Sequence, residues 1–111
     1  MAVDVALAER VRELLLGEPL LGERRMFGGL AFLIGGHMAV VVSGRGGLMV
    51  RVDPGEADRF VASGAATVVE MRGRPTRGWV RVDADAVRTR RQLERWVDRG
   101  VIIARALDPK P

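Results

Sequence analysis

Residues 24–43 read Arg24-Arg25-Met26-Phe27-Gly28-Gly29-Leu30-Ala31-Phe32-Leu33-Ile34-Gly35-Gly36-His37-Met38-Ala39-Val40-Val41-Val42-Ser43, and this stretch decides the fold. From Arg24 to Ile34 the apolar positions fall at period two, the spacing of a β-strand, with Met26, Leu30, Phe32 and Ile34 on one face. Gly35-Gly36 then supplies two positions that tolerate the positive φ angles of a two-residue hairpin turn. His37 to Ser43 returns as a second strand. Gly44-Arg45-Gly46-Gly47 turns the chain again, and Leu48 to Val52 makes a third. Strands joined directly by glycine turns have no room for crossover helices, so the sheet is antiparallel.

Outward from this meander the period changes. Upstream, Val3, Leu7, Val11, Leu14 and Leu15 recur at helical spacing, with Asp4 placed to cap the start and Gly17 and Pro19 to end the helix. Downstream, Asp53-Pro54-Gly55-Glu56 is a helix start, and that short helix carries Ala57, Phe60 and Val61 inward before Ser63-Gly64 stops it. Thr67–Met71 and Trp79–Val82 read as two more strands joined by a loop over residues 72–78, and residues 83–86 read as a helical turn. Thr89 and Gln92 form a capping box for a last helix, whose inner face carries Leu93, Trp96, Val97, Gly100, Ala104 and Leu107. Gly100 within a helix costs about 1 kcal/mol against alanine unless close packing requires it. The expected architecture is α+β: a two-layer α/β sandwich with an antiparallel five-stranded sheet, in the order α-β(3)-α-β(2)-α.

The 111 residues make one domain, residues 1–111, of which 48% are hydrophobic and 29% charged. That apolar fraction is too high for a disordered chain, and no apolar run approaches the roughly 20 residues of a membrane helix. No membrane association is expected. Met1-Ala2-Val3-Asp4 has no basic, apolar leader character, so the expected location is cytoplasmic. All but one of the 18 basic residues are arginine, the exception being Lys110, and the net charge is only +4. The high isoelectric point of 11.1 follows from having no Cys, no Tyr and one Lys to titrate at intermediate pH, and such a composition also suits a GC-rich coding sequence.

Several chemistries lack their residues. With no Cys and a single His, thiolate chemistry and transition-metal sites are not expected. His37 and Ser43 share a strand face, but six residues at about 3.3 Å each separate them by roughly 20 Å, far beyond the contact a catalytic dyad needs; Ser63 stays open on sequence grounds. Asp83 and Asp85 at a helix start read as caps. The glycine pairs lead into strands and match no phosphate-binding or dinucleotide fingerprint. No cofactor, no metal and no enzymatic activity are therefore expected. His37 beside its hairpin is either a solvated residue or a pH-sensitive contact to a ligand or partner.

Arg72, Arg74, Arg77 and Arg81 lie within ten residues that contain no acid, with Trp79 among them. Guanidinium forks grip phosphates and an exposed Trp stacks bases, so this stretch is the candidate nucleic-acid surface, with Arg24 and Arg25 as a second basic pair. The alternative is that Trp79 packs inward while the arginines solvate a loop.

Arg25-Met26-Phe27-Gly28-Gly29-Leu30-Ala31-Phe32, with Gly36, Met38 and the strand Leu48–Val52, resembles the N-terminal domain of the TfoX/Sxy competence regulators. Gly73-Arg74, Gly78-Trp79 and Leu93-Glu94-Arg95-Trp96 add to the resemblance, which spans roughly residues 5–107. It implies a two-layer α/β domain similar to the secretion-chaperone-like folds, with no enzymatic activity and no cofactor. Full-length members are regulators that help switch on DNA-uptake genes together with the cyclic-AMP receptor protein. A chain ending at Pro111 leaves no room for their C-terminal domain, so a stand-alone domain is the expectation. The family motif, Arg25 through Gly29 with His37 and Met38, is then the candidate interaction region, with an apolar groove around Met26, Phe27, Met38 and Met49.

Three readings follow. The first is a non-catalytic regulatory or interaction module that contacts a protein partner or itself, as a homodimer, because Phe27, Ala31 and Leu33 would form an apolar sheet face in need of a cover. The second is a nucleic-acid-binding domain using Arg24, Arg72, Arg74, Arg77, Trp79 and Arg81. The third is a small-molecule groove near Met26, His37 and Trp79.

Overall fold

The computed structural model of the protein describes residues 4–26 and 28–111. Val3 and Phe27, used in the sequence reading, lie outside the described residues. Helix α1 (Val5–Leu14) starts where the Asp4 carboxylate accepts the Leu7 N–H at 3.0 Å. Strands β1 (Leu21–Met26), β2 (Gly29–Ile34), β3 (His37–Val42) and β4 (Leu48–Arg51) follow. Helix α2 (Pro54–Ser63), capped by Asp53 and closed by Gly64 at φ +81°, leads to β5 (Thr67–Met71) and β6 (Arg74–Val82). A 3-10 turn (Ala84–Val87) and α3 (Arg90–Arg105) complete the chain, and Thr89 and Gln92 form the full capping box.

The α+β class and the antiparallel sheet agree with the sequence reading, but the sheet has six strands rather than five, in the spatial order β1-β2-β3-β4-β6-β5. What reads as one strand from Arg24 to Ile34 is two. Met26 pairs with Gly29 and Leu21 with Ile34, and Gly28 takes φ +72° between the two strands. Met26 consequently does not share a face with Leu30, Phe32 and Ile34; it packs with Ala31 and Leu33 on the other side. Strand β6 also begins at Arg74, so most of the expected loop over 72–78 is hairpin. Its turn is Arg72-Gly73, both at positive φ, the same primed geometry that Gly35-Gly36 adopts.

Helices cover one face of the sheet. Phe32, Val40, Val42, Val50, Val80 and Val82 meet Leu7 and Val11 of α1 and Leu93, Val97 and Val101 of α3 in the main core. Phe60 of α2 meets Trp96 edge-on, ring centroids 4.9 Å apart. Gly100 brings α3 against the sheet: a Cβ there would lie 2.2 Å from the Ala39 carbonyl oxygen. Gly29 and Gly44 mark a second close approach, between the β1–β2 turn and the end of β3, since added Cβ atoms would meet the Val42 and Gly28 carbonyl oxygens at 2.2 and 2.1 Å.

The opposite face carries no helix, yet its apolar residues Ala31, Leu33, Val41, Met49, Val69 and Trp79 are only 0–8% exposed. Met26 and Met38 pack against this second cluster, and the guanidinium of Arg51 lies over the Trp79 ring at 5.8 Å. Long unbranched side chains thus fold down over apolar neighbours and cover much of what a helical layer would cover. Ala31 and Leu33 are already covered within the chain, while Phe27, the third residue of the expected apolar face, lies outside the described residues.

Candidate functional site: the arginine-bearing side of the sheet

Pairing register sets one row across the helix-free face: Arg24 beside Ala31, Val41, Met49, Arg81 and Thr67, strand by strand. A neighbouring row places Leu33 and Met38 next to each other and Arg51 next to Trp79. The face is therefore apolar at its centre with guanidinium groups set among and beside the apolar side chains.

Two of these arginines are committed to structure. Arg51 Nη1 donates to the Met38 carbonyl oxygen at 3.2 Å. Arg81 Nη1 donates to Ser43 Oγ at 3.0 Å, and the same hydroxyl accepts the Arg45 N–H at 3.1 Å. Ser43 is the buried polar residue among the described residues; the sequence shows only a serine ending a strand, with nothing to place Arg81 against it. Trp79 is 8% exposed beneath Arg51, so its ring is not presented for base stacking.

Arg72, Arg74 and Arg77 stand differently. All three are exposed on the β5–β6 hairpin, and none lies within 4 Å of a carboxylate among the described residues. The ion pairs lie elsewhere: Arg12 with Glu9 and Glu23, Arg59 with Glu56, Arg90 with Glu13, Arg105 with Glu18. The Arg12 hydrogen bonds hold the Glu23 carboxyl below its usual range. Arg10 bonds the Val87 and Arg88 carbonyls, and Arg99 lies 4.8 and 4.7 Å from the Phe60 and Trp96 ring centres. On α3 the exposed Arg91 and Arg95 alternate with Glu94 and Asp98. The hairpin carries three arginines outside any ion pair among the described residues, with Glu70 on β5 and Asp58 beside the cleft as the acids placed on or next to it.

Arg24 and Arg25 do not join it. They sit on β1, at the opposite edge of the open sheet from β5, and their side chains alternate, Arg24 in the helix-free row and Arg25 beside Leu30. Of the candidate interaction residues, Gly28 and Gly29 make the turn and the close approach to β3, while the half-buried Met26 and Met38 pack against the second cluster. His37 also holds structure. Its Nε2–H donates to the Asp108 carbonyl oxygen at 2.6 Å while the Lys110 N–H bonds the Gly35 carbonyl at 2.8 Å, pinning the C-terminal segment over the β2–β3 turn. It lies at the far end of β3 from Ser43. Ser63 donates to the Phe60 carbonyl at the end of α2.

Two clefts flank these features. One of about 400 Å³ lies where the ends of α1 and α3 approach β2, walled by Leu14, Leu20, Leu107 and Pro109. The other, about 280 Å³, lies between α2 and the β5–β6 hairpin, lined by Ala57, Val61, Val68 and Thr76 with Arg77 and Asp58 also on its walls. Among the described residues no group of three or more His, Cys, Asp or Glu side chains is placed to hold a metal, and no helix is long and apolar enough to cross a membrane.

The family model of the TfoX N-terminal domain matches residues 13–104 of the chain. That match takes in all six strands, α2 and most of α3. No curated protein matches.

Proposed function

This chain belongs to the TfoX N-terminal domain family, and from that premise we propose that it is a non-catalytic regulatory module that works by contacting an acidic partner protein through its β5–β6 hairpin. The observation that carries this reading is the placement of Arg72, Arg74 and Arg77 on one exposed hairpin, none of them in an ion pair within 4 Å among the described residues and only Glu70 acidic on the hairpin itself. Exposed guanidinium groups gathered on one hairpin offer bidentate donors to carboxylates. A nucleic-acid role uses the same arginines but lacks two supports: Trp79 is covered, and Arg24 and Arg25 stand at the other sheet edge. For hydrolytic chemistry, the Ser43 hydroxyl is occupied by two donors and His37 by the C-terminal segment.

The test is fluorescence anisotropy of the full chain with labelled polyglutamate, a 20-base-pair duplex and single-stranded DNA, at about 50 and 200 mM salt. An Arg72→Ala/Arg74→Ala/Arg77→Ala variant runs alongside. Polyglutamate binding that needs the three arginines, with DNA binding lost by 200 mM, supports the reading, since purely phosphate-directed binding falls steeply with salt. Arginine-dependent DNA binding that persists at 200 mM makes the domain a nucleic-acid binder. No polyglutamate binding at 50 mM removes the hairpin as a site.

A further inference from the structure

We infer that the free edge of β5 is a docking strand, which takes an extended acidic segment of a partner protein as a seventh strand and seats one large apolar side chain in the cleft beside α2. This rests on the reading above and gives it a geometry. Strand β5 is the last strand of the sheet and pairs only with β6, with a register shift between Val68 and Glu70, so among the described residues the backbone N–H and C=O groups on its other side have no strand partner. An extended peptide satisfies such groups by main-chain hydrogen bonds, and its alternate side chains supply specificity.

The two sheet edges differ in chemistry. Strand β1 places Glu23, Arg24 and Arg25 in succession, with Glu23 tied to Arg12 of α1, the charged pattern that discourages strand addition. Strand β5 runs Thr67-Val68-Val69-Glu70-Met71, with one charge in five residues. Val69 is buried in the second cluster, whereas Val68 points to the helix side and is 47% exposed, large and apolar at a free edge.

Val68 is also a wall of the 280 Å³ cleft, whose other walls include Ala57, Val61 and Ala62 of α2. That volume is below the roughly 300–1,000 Å³ of small-molecule pockets and suits one large side chain of an added strand. The hairpin arginines lie at the end of β5 where an antiparallel peptide begins, so carboxylates belong at the very start of the peptide, beside Arg72 and Arg74 and ahead of the position that faces Glu70. A second copy of the chain fits less well. The antiparallel register that pairs all five β5 residues with their copies sets Glu70 of one against Val68 of the other, and so presses a carboxylate against an apolar cleft.

The test is selection of a random nonapeptide phage library on the immobilised full chain. Selected peptides are synthesised, then measured for affinity and for amide hydrogen exchange at Thr67–Met71. The expected peptides place carboxylates before a stretch with alternating apolar residues. They slow β5 amide exchange and bind the Val68→Lys variant at least about fivefold more weakly. Val68 is at the surface, and unchanged circular dichroism of the variant separates lost docking from lost folding. No enrichment, equal affinity for Val68→Lys, or unaltered β5 exchange overturns the proposal. So does a concentration-dependent dimer that Val68→Lys abolishes, which would assign the edge to self-pairing. Peptides that need Arg72, Arg74 and Arg77 but protect no β5 amide would discard the edge and leave the acidic-partner reading standing; failure of both peptides and polyglutamate discards both.

Discussion

Replacing Gly100 by alanine sets two opposing effects against each other, and the geometry says which wins. Alanine is worth about 1 kcal/mol more than glycine inside a helix, so on propensity alone Gly100→Ala stabilises α3. Its methyl would stand 2.2 Å from the Ala39 carbonyl oxygen, 2.9 Å from the carbonyl carbon and 3.0 Å from Val40 Cγ1. Two of these atoms are backbone in a strand paired on both sides, so no rotamer change relieves the clash. Restoring van der Waals distance moves α3 from the sheet by roughly 1 Å. That strips close contact from Leu93, Val97 and Val101, which are 1–4% exposed. Overpacking of this kind costs about 1–3 kcal/mol, and more when the obstacle cannot move. Because the obstacle is backbone, the upper end of that range applies, and less the roughly 1 kcal/mol of propensity the net destabilisation is about 2 kcal/mol, a fall in Tm of roughly 8–15 °C for a domain of this size. Thermal and urea unfolding followed by circular dichroism measure it. Gly22→Ala in β1, with nothing within 4 Å of the added carbon, is the control and stays within about 0.5 kcal/mol of the parent. A Gly100→Ala protein as stable as the parent, or more so, would mean that α3 is not held against Ala39 by the missing side chain.

Other substitutions separate further causes. Gly29→Ala, whose Cβ meets the Val42 carbonyl oxygen at 2.2 Å, lowers the urea midpoint by the equivalent of about 1–3 kcal/mol, whereas Gly46→Ala, at φ +96° in open space, loses only the conformational part, about 1 kcal/mol. Burial, and secondarily Glu94, pushes the Asp98 carboxyl above its usual range against the opposing pull of Arg105. A raised folded-state pKa favours the protonated form, so Asp98 contributes stability below its unfolded pKa that is lost as pH rises through the folded value. Asp98→Asn accordingly raises Tm at pH 7 and has no such effect near pH 3. Glu23 runs the other way: held low by Arg12, it contributes stability above its unfolded pKa that disappears as pH falls through the folded value, so Glu23→Gln lowers Tm at pH 7 and not near pH 2. His37→Ala speeds hydrogen exchange at the Lys110 amide while leaving global stability within about 0.5 kcal/mol, read by mass spectrometry.

The fold was legible where chemistry is local. Asp4, Asp53 and the Thr89–Gln92 box mark helix starts by capping, and Gly35-Gly36 marks a turn by backbone freedom. Strand β1 escaped because Leu21-Gly22-Glu23-Arg24-Arg25-Met26 is an edge strand with little buried surface, so no apolar alternation betrays it. The start of β6 escaped for the same reason, and because its turn uses Arg72 at φ +55° in place of the usual Asn or Gly. At the candidate site the arginines were legible as a cluster, but their states were not. That Arg81 serves Ser43 and Arg51 covers Trp79, while Arg72, Arg74 and Arg77 stay free, depends on cross-strand register. Val68 at a free edge gave no signal at all, since a valine in a short strand reads as core.

The recognition of acidic partners proposed above belongs to the hairpin rather than to the arginine content of the surface at large. A ¹⁵N–¹H correlation titration of the chain with polyglutamate tests it most directly. Shifts are expected to concentrate in residues 67–78, with Arg24, Arg25, Arg91 and Arg95 little changed, and to disappear in the Arg72→Ala/Arg74→Ala/Arg77→Ala variant. Shifts of equal size at all exposed arginines, surviving in that variant, would contradict it.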